Sequence, residues 1–410
     1  MPSYDQPISE DNVARLVHHL DCIDDQHDEM LKLVIELCDI NSGTLNLDGI
    51  QEVAEILKRE YSSLGVPIDE IKIDRLKDVD DNGAPTEVQL GQLLHLIKRP
   101  EVRPRVLLCI HMDTVYGREH PFQKCVLNQS GVLNGPGVAD AKGGLVVMLN
   151  ALRAFESSPF ANEIGWEVII NPDEELGSPG SANFLKQRAK EADLGLLFEP
   201  SLPDGALVSA RKGVGNFAFV VRGKSVHSGR EFENGRNAVV KCCQIMQQVH
   251  ELNKSSNITF NVGRMNGGAA LNVVPDIAIG RINVRVDTVK NMNLVEEQLK
   301  QIARQHDGKD GFGVEMFGSF SSPPKELTPQ LKQLKSRIEI CGKAIDRHVH
   351  WRDTGGASDG NKFAAVGLPN VDTLGPMGGN IHSSDEYLDT STLVGSTKLA
   401  ALIMLSIAAK

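Results

Sequence analysis

What the chain lacks excludes several chemistries at once. No CxxC pattern occurs among its seven cysteines, and Cys242-Cys243 is the only adjacent pair. Neither a disulfide framework nor a thiolate-bound zinc is expected, and Cys109, inside an apolar run, reads as a small buried residue. Positive charge is also short: 43 Lys and Arg stand against 54 Asp and Glu, a net charge of -11. That balance argues against nucleic acid or an anionic membrane as a partner. No apolar run is long enough to span a bilayer. The longest, residues 399–409, is interrupted by Ser406 and reads as a buried C-terminal helix. The first five residues show no basic stretch leading into an apolar one, so a cytoplasmic protein is expected. There is no internal repeat and no low-complexity linker.

What is present is a globular composition, 41% hydrophobic and 24% charged. At 410 residues the chain exceeds one ordinary core, and two domains are expected. Helical patterns cover residues 12–20, 28–38 and 47–64, the last closed by Gly65. A strand is expected at 68–73 and a solvated loop at 78–85. Continuous apolar runs at 106–110, 166–170, 194–198 and 370–374 suit strands buried on both faces of a mainly parallel sheet, with helices at 145–155 and 181–191 as crossovers. Between them the pattern changes. Residues 215–222, 258–263 and 278–286 alternate as half-buried antiparallel strands do, and 237–252 and 294–306 are helical. The expected fold class is α/β: a mainly parallel-sheet domain of residues 1–212 and 323–410, with an α+β domain inserted at 213–322.

Each buried run leads to a histidine or an acid. The first ends in His111 and Asp113, the second in Glu174 and Glu175, the third in Glu199, and the fourth passes through a Gly-Pro segment to His382. Ligands of open α/β sheets bind at these carboxyl ends. Asp140 stands in a glycine-rich stretch, residues 135–144, where the backbone can approach a ligand closely. Any one of these acids could serve as a helix cap; their recurrence points to a metal site. Imidazoles and carboxylates without a thiolate suit zinc, with manganese or cobalt as alternatives. Five ligands (His111, Asp140, Glu175, Glu199, His382) are one too many for a tetrahedral ion and fit two ions bridged by Asp140. Two residues apart, His111 and Asp113 point the same way, so Asp113 can hold the second nitrogen of the imidazole. Glu174 and Glu175 are consecutive and point apart, so one can bind metal while the other faces substrate as a general base.

The segments around His111–Asp113, residues 137–144, 173–178, Phe198-Glu199-Pro200 and Ile381-His382-Ser383 resemble the signature blocks of the M20 metallopeptidases. Residues 211–215 and 232–238 lean towards the glutamate-carboxypeptidase branch. The resemblance implies a zinc-hydrolase catalytic domain with an inserted lid and dimerisation domain. It implies His111 and Glu199 on one zinc, Glu175 and His382 on the other, Asp140 bridging in a cis peptide bond to Ala141, and Glu174 as base. His227 of the insert resembles a histidine that stabilises the reacting carbonyl oxygen in a partner's site. Asn272 and Arg285 resemble binders of a substrate carboxylate, Lys212 falls in the branch motif, and Gly360 in a glycine-rich substrate loop. One departure is Phe320-Ser321-Ser322-Pro323-Pro324, which lacks the arginine that glutamate-cleaving members carry before the proline. The implied enzyme is a homodimer with two zinc ions per chain. It would release a C-terminal amino acid from a small peptide or N-acyl amino acid. The rivals are a biosynthetic deacylase of the acetylornithine or succinyl-diaminopimelate type, and a silent binding module that would have lost a ligand or the base. None is lost here.

Overall fold

Arg105–His111 and Gly165–Asn171 are buried along their whole lengths, so both faces of the sheet they form must be covered. The structure, a computed structural model, describes residues 8–254 and 257–409; the first five residues, read above for a leader, lie outside them. The central sheet has six strands in the order Asp69–Lys72, Gln92–Lys98, Gly165–Asn171, Arg105–His111, Leu194–Leu197, Asn370–Val371. The last four are parallel to one another, while Gln92–Lys98 runs antiparallel to Gly165–Asn171. Leu108 and Ile110 turn to one face, against the helices Gly144–Glu156 and Thr392–Ala408. Leu107 and Cys109 turn to the other, against Leu185 and Ala189 of the helix Ala182–Glu191. The C-terminal helix is buried almost throughout, as its mainly apolar sequence from Leu399 onward requires. Among the described residues, no helix is long and apolar enough to cross a membrane.

The inserted region folds on its own core. Ile258–Gly267, Ile277–Val286, Gly213–Arg222 and Gly313–Ser322 form an antiparallel four-stranded sheet in that order. Phe217, Phe219 and Val221 alternate onto the helices Ala238–His250 and Val289–His306. The sequence pattern anticipated three of the strands. The fourth, Gly313–Ser322, is only patchily buried; its register slips between Phe320 and Ser322, and Gly318 takes φ 99°.

Two local expectations need correction. The first helix is a short α-helix, Glu10–Ala14, followed by a 3-10 stretch, Val17–Gln26. Residues 78–85 stay largely exposed but are the turn of a hairpin rather than an open loop. Leu76–Val79 and Pro85–Val88 pair as a hairpin, and the Asp80 carboxylate closes its turn by accepting from the N–H groups of Asn82 and Ala84, each at 2.8 Å. Val79 packs on Ala218, Val220 and Ile279 of the inserted sheet, on the face away from its helices. Arg222 and Arg281 donate to the hairpin carbonyls of Gly83 and Val79, and Asp81 pairs with Arg264 and Arg281. Of the acids that suggested solvation, Asp81 meets cations of the insert, while Asp78 stays exposed.

Candidate metal and catalytic centre

The segment carrying Asp140 is pinned from two sides. Gly137, at φ 74°, turns the chain through the left-handed region, and helical geometry breaks at Asp140 and Ala141, whose peptide bond is cis. The N–H groups of Gly137, Ala139 and Asp140 donate to the Glu386 carboxylate at 3.1–3.2 Å, and the Tyr116 hydroxyl donates to it at 2.7 Å. Buried Lys142 donates to the carbonyls of Leu37 and Ile40, each at 2.8 Å, at the end of the helix His27–Cys38. Glu386 had no role in the sequence reading. Its only signal there is an acid four residues after His382.

His111 ends its strand fully buried. Its Nδ1 lies 3.0 Å from the Asp113 carbonyl oxygen and 3.3 Å from Asp113 Oδ1. Its Nε2 therefore faces Asp140 Oδ1, at 3.0 Å, and Glu199 Oε2, at 3.6 Å. On the far side, His382 Nε2 lies 3.3 Å from Asp140 Oδ2 and 3.1 Å from Glu175 Oε2. Ligand atoms of His111, Asp140 and Glu199 lie within 4.8 Å of one another, and so do those of Asp140, Glu175 and His382. Asp113 organises the remaining side. Its oxygens accept from the N–H groups of Glu174 and Glu175, each at 3.2 Å, and from the Thr44 hydroxyl at 2.7 Å. One buried carboxylate thus sets both the His111 ring and the backbone of the two glutamates.

Crowding of acids governs the electrostatics. Burial, reinforced by Glu199, raises the pKa of Glu174 well above the usual carboxylate range. Burial and the charge of Asp140 push Glu175 up to about 7. Asp140 moves oppositely: burial opposes its charge, but hydrogen bonds from His111 and His382 hold it below the usual range. Hydrogen bonds to Asp140 and Glu175 push His382 up to about 10. Three carboxylates and two imidazoles converging this closely, with no thiolate, form a donor set that fits zinc and also admits manganese or cobalt.

A cavity of about 550 Å³ opens over these groups, lined by Asp140, Glu174, Glu175, Glu199 and His382. Val214, Asn216 and Arg285 of the insert line its far wall, and Arg285 donates to the Gly355 carbonyl. The Ser201 hydroxyl is buried on the same wall without a partner among the described residues. Arg211 lines it too. Its Nε donates to Asp372 Oδ2 at 2.8 Å, and Lys325 Nζ donates to the same oxygen at 2.9 Å, so two buried cations share one carboxylate. The sequence reading singled out Lys212 and passed over its neighbour Arg211. Lys212 and Gly360 do not line the cavity. The Lys212 N–H donates to the Thr354 carbonyl, and Gly360 begins a buried helix where a Cβ would come 2.6 Å from Asp372 Oδ2.

His227 and Asn272 also lie off the cavity lining, beside each other at the tip of the insert. His227 bridges to Val273, and the Ser228 N–H donates to the Asn272 carbonyl at 2.9 Å. The Gly229 N–H donates to His227 Nδ1 at 3.1 Å, which in the neutral ring leaves the proton on Nε2. Around them Leu271 is fully exposed, Phe232 is largely so, and Val273 is 39% exposed.

Residues 107–406 match the family model of peptidase family M20/M25/M40. The chain is 27% identical over 393 residues to carboxypeptidase G2 of Pseudomonas sp. (strain RS-16), covering 94% of this chain and 91% of that protein. It is 26% identical to succinyl-diaminopimelate desuccinylase of Hahella chejuensis (strain KCTC 2396), covering 88% and 93%. The M20 family metallo-carboxypeptidase Sso-CP2 from Sulfolobus solfataricus shares the fold, with a TM-score of 0.71 at 18% identity, covering 93% of this chain and 99% of that one. The chain belongs to peptidase family M20/M25/M40. It is an enzyme of the metallopeptidase class, with an α/β catalytic domain and an inserted α+β domain.

Proposed function

We propose that this enzyme uses two divalent ions, zinc first among them, to cut an amide bond and release the C-terminal amino acid of a small peptide or N-acyl amino acid. The observation that carries the reading is the division of five ligating side chains into two groups that share Asp140, one carboxylate oxygen towards each. His111 and Glu199 would hold one ion, Glu175 and His382 the other. When bound, the pair would acidify a water and polarise the amide carbonyl. Glu174 takes the proton of that water on its carboxylate and passes it to the leaving amine. Burial makes this carboxylate more basic than a solvated one, which suits both transfers. Asp113 keeps the His111 ring in place through Nδ1. Arg285, on the cavity wall, would take the free carboxylate of the departing amino acid.

Likeness to a desuccinylase supports a second reading, removal of an acyl group from an amino-acid precursor. Metal-loaded enzyme assayed on a panel of dipeptides and N-acyl amino acids, with free amino acid measured, separates the two; release from neither class overturns both.

We further infer a homodimer in which His227 and Asn272 serve the site of the second copy. Supporting this, both lie off their own cavity, amid exposed apolar side chains, and the strand Ile258–Gly267 is an unpaired edge.

A further inference from the structure

A second cavity, of about 710 Å³, flanks the reaction centre between residues 43–48 and 114–118. It shares Glu175 and Leu176 with the first, so the short turn Glu174–Leu176 partitions the two. Their walls differ in chemistry. The first carries Arg211, Arg285 and the unpartnered Ser201 hydroxyl. In the second, Leu45, Val115 and Leu176 are 60%, 40% and 38% exposed, large apolar side chains beside a polar centre. Three polar groups of this wall, those of Thr44, Asn46 and Arg118, are engaged with one another or with the scaffold, Arg118 and Asp48 through exposed side chains. The Thr44 hydroxyl donates to Asp113 Oδ2 at 2.7 Å, and the Asn46 amide donates to the Asn41 carbonyl at 2.8 Å. Arg118 donates to Asn46 Oδ1 at 2.6 Å and to Asp48 at 2.7 Å.

We propose that this groove binds the acyl side of the scissile amide and takes an uncharged, apolar arm: an aliphatic or aromatic acyl chain, or the side chain of an apolar N-terminal residue. The inference rests on the amide-hydrolase reading above. A substrate whose carbonyl meets the groups around Asp140 sends one arm to each side of the Glu174–Leu176 turn. The arm with the free carboxylate is drawn to the arginines of the first cavity. The acyl arm is left with the apolar groove. A succinyl arm would bring a second carboxylate to a wall whose one cation, Arg118, already pairs with Asp48.

The test takes the amino acid released fastest in the panel and attaches acetyl, butanoyl, octanoyl and succinyl groups to it, with a Gly and a Leu dipeptide alongside. Wild type is compared with Leu45→Asp and Val115→Asp. We expect kcat/KM to rise with chain length, by up to about fourfold per methylene until the groove is filled, with succinyl no better than acetyl. The octanoyl-to-acetyl ratio should fall at least about tenfold in each variant. Inhibition of the wild type by octanoate against acetate gives the same contrast without a substitution. A flat acyl series, a preference for succinyl, or a ratio unmoved in both variants overturns the groove assignment and leaves amide hydrolysis standing. Hydrolysis of no member at all overturns the reading beneath it and this inference together.

Discussion

At the carboxyl ends of the central strands, the candidate groups are held by partners within the same chain. Asp113 fixes His111 and the backbone of Glu174 and Glu175, and Glu386 and Lys142 pin the segment that presents Asp140. The tip of the insert is built differently. There His227 and Asn272 are tied by backbone contacts to their own neighbours, and their side chains stand in the open beside Leu271. The first arrangement is complete within one chain. The second, on the dimer reading proposed above, would act only with another surface, so the two regions answer to different experiments.

The largest effect belongs to the self-contained centre. Glu174→Gln keeps the shape of the side chain and removes its base, so kcat should fall by about 10²–10⁴ while metal content stays at the wild-type level. Retained activity would take Glu174 out of the proton path.

Next is the frame behind the cavity wall. Asp372→Asn leaves Arg211 and Lys325 buried without their counter-charge, and should cost about 3–5 kcal/mol of unfolding free energy in a denaturant titration. The pH dependence follows the same contacts. Burial would raise the pKa of Asp372, but the two cations bring it down to about 2, below its unfolded value near 3.8. Its stabilisation is therefore full above the unfolded value and is lost as pH falls towards 2. A variant as stable as wild type at neutral pH would mean the cations do not depend on it.

Complementation tests whether His227 acts across subunits. Glu174→Gln and His227→Ala, each nearly inactive, are mixed and allowed to exchange subunits. If the tip serves the partner, half the dimers carry one intact site, and roughly a quarter of wild-type activity returns. Activity that stays at the single-variant level after demonstrated exchange would place any role of His227 in its own chain.

A smaller effect is expected where the two regions meet. Arg285 belongs to the insert yet lines the cavity of its own chain, so Arg285→Ala should lower kcat/KM by about 10–100-fold, mainly through KM. An unchanged KM would remove it as the carboxylate anchor.

Legibility in the sequence followed the same division. Strands buried on both faces announce themselves as uninterrupted apolar runs, and four of the five candidate ligands follow soon after them. Gln92–Lys98, an antiparallel and only partly buried strand, offers no such run. The hairpin at 76–88 was hidden because its acids look solvated until Arg222, Arg264 and Arg281, far along the chain, come to meet it. Glu386 and Asp372 escaped for the same reason: each has a partner more than a hundred residues away, Asp140 for the first and Arg211 for the second. Lys212 and Gly360 came from motif likeness, and neither is among the residues that line the cavity.

In the proposed mechanism Asp140 joins two ion sites in one chain. Metal analysis of purified, active enzyme tests it most directly, with chelation and readdition of zinc as the control. Two ions per chain, with activity lost on chelation and restored by zinc, is the predicted result. A single ion per chain at full activity, unchanged by added zinc, would contradict it.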